Sequence, residues 1–249
     1  MNGVEQILIL SQSFLYNAKY TNASLTIGLL IIGFSGYHYV SLFLNNRAKR
    51  WKKTEEDYIS IIGQRLIGSV FLGVIPILIF VLLQDNNFRN YGINLYNFDQ
   101  SLIWISIFAP LIVMMNCFLA GKQSKSDDYP QIRIKNWNPR TLIINFTTWL
   151  VYLFAYEAFF RGLLLFSFYY TFNSITAVVV NVILYAFVHL PKGLREMLGS
   201  VPFGIILCVI TIKTGSFLAA FLIHGIMAIS YEFFSIKANP EMSIKNKRI

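Results

Sequence analysis

Long apolar runs separated by short polar segments dominate the pattern of this chain. A membrane-spanning helix needs about 20 mostly apolar residues. Seven runs reach or approach that length: 23–44, 66–83, 101–120, 141–170, 173–190, 199–212 and 217–236. The sixth run is short, and residues 193–198 could extend it as helix. Residues 6–16 are apolar but too short to span, so they could lie in the membrane interface or form an eighth, partial span.

The composition agrees with this pattern. The chain is 55% hydrophobic and 13% charged, with a mean hydropathy of +0.55, whereas a soluble domain usually has about 25% charged residues. We therefore expect an all-α fold, a polytopic membrane helical bundle of about seven to eight transmembrane helices. The sequence has no internal repeat. It divides into N-terminal helices at 1–139, core helices of the same bundle at 140–236 and a basic cytoplasmic tail at 237–249.

Basic residues cluster after alternate apolar runs. They follow the first, third, fifth and seventh runs: Arg47, Lys49, Arg50, Lys52, Lys53, Lys122, Lys125, Arg133, Lys135, Arg140, Lys192, Arg195, Lys237, Lys245, Lys247 and Arg248. The positive-inside rule then predicts an N-terminus outside and a C-terminus in the cytoplasm. The net charge of +9 requires no nucleic-acid partner, because anionic lipid at the cytoplasmic surface of the bilayer attracts these residues.

Two charged residues interrupt an otherwise apolar stretch. Glu157 and Arg161 are the only charges within 141–170, and each such residue costs about 2.5–3.5 kcal/mol at the centre of a spanning helix. Their i, i+4 spacing, with the glutamate first, places them on one helical face in the favourable order. Such a pair either holds helices together or serves chemistry. Two further polar groups in later apolar runs, His189 and His224, favour chemistry.

The order of these groups resembles a known family of membrane proteases. The first motif runs from Tyr156 to Arg161 and is followed by Gly162, the second runs from Tyr185 to His189, and the third runs from His224 to Ala228. Together they resemble the CPBP family, the CAAX proteases and bacteriocin-processing enzymes also called Abi proteins. The resemblance covers about residues 140–235.

The resemblance implies a function and a set of site residues. Family members hydrolyse a peptide bond within or near the membrane, and they have been described both as metalloproteases and as glutamate-dependent proteases. The implied substrate is a membrane-anchored or lipidated protein or peptide, and the implied location is a prokaryotic plasma membrane. The site implied here consists of Glu157, Arg161, His189 and His224. In the family, a leading glutamate activates water, while the histidines and an asparagine orient the water and stabilise the oxyanion.

Two positions depart from the family pattern. Tyr156 occupies the place of the leading glutamate, and Ala228 occupies the place of the asparagine. A tyrosine, with a reference pKa of about 10, cannot readily replace a carboxylate base, although Tyr156 could supply a hydroxyl donor. Glu196 is therefore our first choice as an additional acid, since a turn at 191–193 could fold it back toward the histidines. Glu232, eight residues after His224, is the second.

A metal site is a further option. His189, His224 and Glu157 could bind a divalent ion such as zinc, because a catalytic zinc uses three protein ligands and a water. Two rival functions also remain open at this stage: a non-catalytic relative that binds a membrane peptide in an immunity or scaffold role, and a small proton-coupled transporter. A shared site requires Glu157, His189 and His224 to meet, although simple span edges place them at different depths.

Overall fold

The computed structural model describes residues 3–48, 55–83, 88–122 and 129–245. Helices dominate this part of the chain: α1 Gly3–Ala48, α2 Glu55–Ser69, α3 Ile75–Leu83, α4 Phe98–Lys122, α5 Pro139–Glu157, α6 Leu165–Thr171, α7 Ser174–His189, α8 Leu194–Thr214 and α9 Leu218–Ala238. Two π turns, Val70–Val74 and Ala158–Leu164, join α2 to α3 and α5 to α6. Short 3-10 turns lie at Phe88–Tyr91 and Leu190–Lys192.

Within these residues, seven helices are long and apolar enough to cross a membrane: Tyr20–Phe43, Tyr58–Leu83, Phe98–Ala120, Pro139–Thr171, Ser174–Lys192, Leu194–Thr214 and Leu218–Ala238. The protein is thus an integral membrane protein with the predicted all-α polytopic fold. Residues 6–16 belong to the continuous helix α1 and form no separate helix. The sixth span is extended as predicted and begins at Leu194, because Gly193 has a φ of 107° and ends the preceding turn.

The helix that carries Glu157 lies at the centre of the bundle. In the span Pro139–Thr171, 78% of the most apolar window is buried, against 11% in Phe98–Ala120. This placement follows from the charges, because Glu157 and Arg161 would be costly if either faced lipid.

The π turn that follows Glu157 shapes this central helix. Such turns are often found at functional sites. The Asn181 side chain of α7 donates a hydrogen bond of 2.6 Å to the carbonyl of Phe160 inside the turn. Gly162 allows a close approach, because a Cβ there would lie 2.9 Å from the carbonyl oxygen of Tyr91.

Replacing Gly162 with alanine should therefore destabilise the protein by about 1–3 kcal/mol, the usual cost of overpacking. Gly28 is the matched control: it lies within α1, and an added Cβ meets nothing within 4 Å. Gly28→Ala should be neutral or stabilising by roughly 0.5–1 kcal/mol, since alanine is the better helix former. Thermal unfolding in detergent compares the two, and equal midpoints would contradict the packing argument.

Polar contacts join α5 to α9 at two depths. Glu157 contacts His224 near the start of α9, and Asn145 contacts Glu232 near its end. The two helices are therefore antiparallel. At the end of the bundle where α5 begins and α9 ends, strand β1 (Asn136–Trp137) pairs in parallel with β2 (Ser243–Ile244). Part of the predicted basic tail thus packs against the bundle, while residues 246–249 lie outside the described residues.

Candidate active site

A row of three side chains forms the centre of the candidate site. The Nδ1 atom of His224 lies 2.6 Å from Oε1 of Glu157, and Nε of Arg161 lies 3.5 Å from Oε2 of the same carboxylate. Glu157 and Arg161 are fully buried and His224 is 6% exposed. The guanidinium of Arg161 also stacks on the ring of Tyr185, 4.3 Å from its centroid. Each oxygen of Glu157 thus has a cationic or donating partner.

This row fixes the orientation of His224. An ionised carboxylate only accepts hydrogen bonds, so Nδ1 of His224 carries the proton that is donated to Glu157. The distance is at the short end for a charge-assisted bond. Among the described residues, Nε2 of His224 has no hydrogen-bond partner. The imidazole is therefore held by one nitrogen while the other remains available.

His189 is held in a similar way on the next helix. Its Nδ1 lies 2.8 Å from the backbone carbonyl of Tyr185, which can only accept, so Nδ1 is the protonated nitrogen. Its Nε2, like that of His224, has no partner among the described residues. The ring of Tyr156 lies edge-on to both imidazoles, with centroids 6.4 Å from His189 and 6.3 Å from His224.

The structure thus brings Glu157, Arg161, His189 and His224 together, although simple spans separate them in depth. His189, at the end of α7, lies edge-on to the ring of Tyr156, the residue before Glu157.

Both histidines line a cavity of about 630 Å³. Its wall includes side chains from seven helices and from the segment before α5; among them are Phe34, His38, Gln64, Asn116, Tyr129, Trp149, Tyr156, Tyr185, His189, Lys192, Glu196, Ser200, Phe203, His224 and Ala228. At the exposed end of the cavity, Lys192 and Glu196 are 4.0 Å apart, with side chains 38% and 25% exposed, so this end reaches the surface.

Glu196 is the only acid among the described residues that line this cavity. The hydroxyl of Tyr129 donates a hydrogen bond to it. Burial, together with the nearby carboxylates of Glu196 and Glu232, raises the pKa of Tyr129 well above its ordinary value, so this hydroxyl stays protonated and remains a donor. Glu196 thus lines the same cavity as the histidines, and its role as an additional acid stays a prediction.

Glu232 has different surroundings. It is fully buried, does not line the cavity, and lies 3.9 Å from the guanidinium of Arg65 on α2. Arg65 also donates hydrogen bonds to the backbone carbonyl and the side chain of Asn145. No local sequence pattern indicates this pair, because its members come from the second and seventh spans. Glu232 is thus one half of a buried ion pair and not an acid facing the cavity.

The two departures from the family pattern both lie at the cavity. Tyr156 is 3% exposed and stacks on Phe160 at 4.5 Å, and among the described residues its hydroxyl has no hydrogen-bond partner. Ala228 lines the cavity one helical turn after His224. His38 also lines it. All three histidines of the chain therefore contact one cavity.

The arrangement does not fit a three-ligand zinc site. Both oxygens of Glu157 are already engaged, one by His224 and one by Arg161, and the guanidinium charge of Arg161 opposes a dication there. Among the described residues, no three or more His, Cys, Asp or Glu side chains are grouped so that they could hold an ion. His189 and His224 alone fall short of the three protein ligands of a catalytic zinc.

A buried carboxylate row and two cavity-lining histidines thus lie together within a bundle of membrane-spanning helices. Residues 138–230 match the family model described as Type II CAAX prenyl endopeptidase Rce1-like. The matched range contains all three motifs, which confirms the resemblance to the CPBP proteases and supports a protease at the family level. No curated protein and no solved structure matches the chain.

Proposed function

We propose that this protein is an intramembrane endopeptidase of the CAAX type that hydrolyses a peptide bond of a membrane-anchored or lipidated protein. The observation that carries the proposal is the row Arg161–Glu157–His224, which presents an imidazole nitrogen to a cavity that His189 also lines. The cavity lies within a bundle of membrane-spanning helices, so an anchored peptide can reach it without leaving the bilayer.

In the proposed reaction, Nε2 of His189 accepts a hydrogen bond from a water molecule, and Glu196 accepts its proton. The resulting hydroxide attacks the peptide carbonyl carbon. Nε2–H of a protonated His224 stabilises the oxyanion, and Glu157 balances the charge of that imidazolium. When the tetrahedral intermediate collapses, the C–N bond breaks and the proton held by Glu196 passes to the leaving amine. Donors and charges in a water-poor site stabilise such an oxyanion strongly.

The test is cleavage of two membrane-anchored fluorescent reporters in proteoliposomes, one bearing a prenylated carboxyl-terminal peptide and one a transmembrane helix. The wild type should cleave at least one of them, and His189→Ala should not. The two reporters separate recognition of a lipid anchor from recognition of a helical anchor. Cleavage of either reporter at the wild-type rate by His189→Ala would remove His189 from the mechanism.

Glu196→Gln should lower the cleavage rate by about 100-fold, in the range expected for loss of a general base. Glu241→Gln is the control, because Glu241 is an exposed acid beyond α9 that does not line the cavity. It should cleave at the wild-type rate. Activity that survives Glu196→Gln but is lost in Glu157→Gln would assign the base role to Glu157 instead.

A second function is favoured by the residues at Tyr156 and Ala228. The leading acid and the asparagine amide are missing, and both oxygens of Glu157 are engaged. A non-catalytic protein that holds a membrane peptide, in an immunity or scaffold role, needs neither group. Binding of both reporters without cleavage by the wild type, at all substrate concentrations, would favour this alternative over the peptidase.

A further inference from the structure

The segment before α5 lies at the exposed end of the cavity. Tyr129 lines the cavity, its ring packs edge-on against Tyr231 at 4.9 Å, and its hydroxyl donates to Glu196. Lys192 and Glu196, which mark the exposed end, are its neighbours in the wall. A ligand that enters from this end must therefore pass Tyr129.

A buried ion pair holds the same segment in place. The backbone N–H of Gln131 donates to Oε2 of Glu232 at 3.3 Å, and its side-chain oxygen accepts a hydrogen bond of 3.0 Å from Arg65. The backbone N–H of Ile132 donates to Glu232 as well. Arg65 and Glu232 do not line the cavity, so their contacts with Gln131 and Ile132 serve to anchor this segment.

The segment has two parts with different attachments. Its second part, Ile132–Trp137, which we call the root, is held by apolar packing. Ile132 and Trp137 are fully buried and cluster with Ile236, and β1 pairs with β2. Its first part, Tyr129–Gln131, is attached by hydrogen bonds, by the Tyr231 ring and by the burial of Pro130. Hydrogen bonds contribute only about 0.5–1.5 kcal/mol each in net terms, so this part is held less firmly than the root.

We propose that Tyr129–Gln131 is a gate at the exposed end of the cavity. Hydrogen bonds between Gln131 and the Arg65–Glu232 pair hold it in place, and the contacts of Tyr129 with Glu196 and Tyr231 keep it closed. Opening admits a ligand from the aqueous side and frees the carboxylate of Glu196 in the same motion. The gate controls access to the cavity whether or not peptide cleavage follows.

The experiment measures access and not catalysis. A cysteine replaces Ser200, a buried residue of the cavity wall, in a background where Cys117→Ser and Cys208→Ser remove the native thiols. A water-soluble, membrane-impermeant maleimide then labels the nanodisc-embedded protein. Tyr129→Phe and Gln131→Ala should each raise the labelling rate about fivefold, as expected for one lost hydrogen bond. Tyr129→Ala should raise it on the order of tenfold or more, because the aromatic contact is lost as well.

Two controls separate gating from unfolding of the segment. Lys135→Ala changes an exposed residue of the root and should leave the labelling rate unchanged. The Asn136→Cys/Ser243→Cys pair should form a disulfide, because these residues are register partners whose side chains lie 3.3 Å apart. With the root locked in this way, Tyr129→Ala should still accelerate labelling. Acceleration that vanishes on locking, or Tyr129→Ala labelling within twofold of the wild-type rate, would overturn the gate.

Discussion

His224→Ala is expected to reduce cleavage of the membrane-anchored reporters by about 100- to 1,000-fold, the loss seen when one oxyanion donor is removed. The imidazole is the member of the Arg161–Glu157–His224 row that reaches the cavity. Its loss removes the oxyanion donor and leaves the carboxylate of Glu157 with no imidazolium whose charge it can balance. Single-turnover kinetics should place the loss in the chemical step, with reporter binding largely retained.

The fold of this variant must be controlled, because His224 is also a partner of Glu157. His224→Gln retains a side-chain N–H donor for the carboxylate of Glu157 but has no second nitrogen to face the cavity. It should therefore fold better than His224→Ala and be equally inactive. Ser230→Ala, on the same helix but outside the cavity wall, should cleave at close to the wild-type rate. Substantial activity in a folded His224→Gln protein would show that the imidazole has no part in the reaction.

Hydropathy predicts the number of spans because lipid-facing surfaces leave a strong apolar signal, but it places some edges poorly. The second span was predicted from residue 66 and begins at Tyr58. The apolar run is broken there by Gln64 and Arg65. Arg65 is buried against Asn145 and Glu232, so its charge is satisfied inside the protein. A sequence window registers that charge but not its distant partner.

The candidate site was predictable to the extent that its chemistry is local. The spacing of Glu157 and Arg161, together with the absence of other charges nearby, was enough to predict their ion pair. The hydrogen bond between Glu157 and His224 joins residues that are 67 positions apart in sequence. Only the family resemblance suggested that these two residues meet. Tyr129 carried no signal, because its role depends on how a loop folds over the end of the bundle.

Breaking the buried pair should be costly. Glu157→Gln and Arg161→Ala should each destabilise the protein by about 3–5 kcal/mol, because each leaves one buried charge without the opposite member of its ion pair. The matched comparison is Lys192–Glu196, which has the same i, i+4 spacing but lies at the exposed end of the cavity. Lys192→Ala should cost only about 0–1 kcal/mol, as is usual for solvent-exposed pairs. Thermal unfolding in one detergent ranks all three variants.

The double variant Glu157→Gln/Arg161→Met then separates stability from chemistry. Replacing both members of a buried pair by neutral groups of similar size removes the uncompensated charge, so much of the lost stability should return. Cleavage should not return, because the remaining amide cannot balance a charged His224. Wild-type unfolding midpoints for both single variants would show that the pair is not needed for folding. Recovery of activity along with stability in the double variant would show that Glu157 acts on the fold alone.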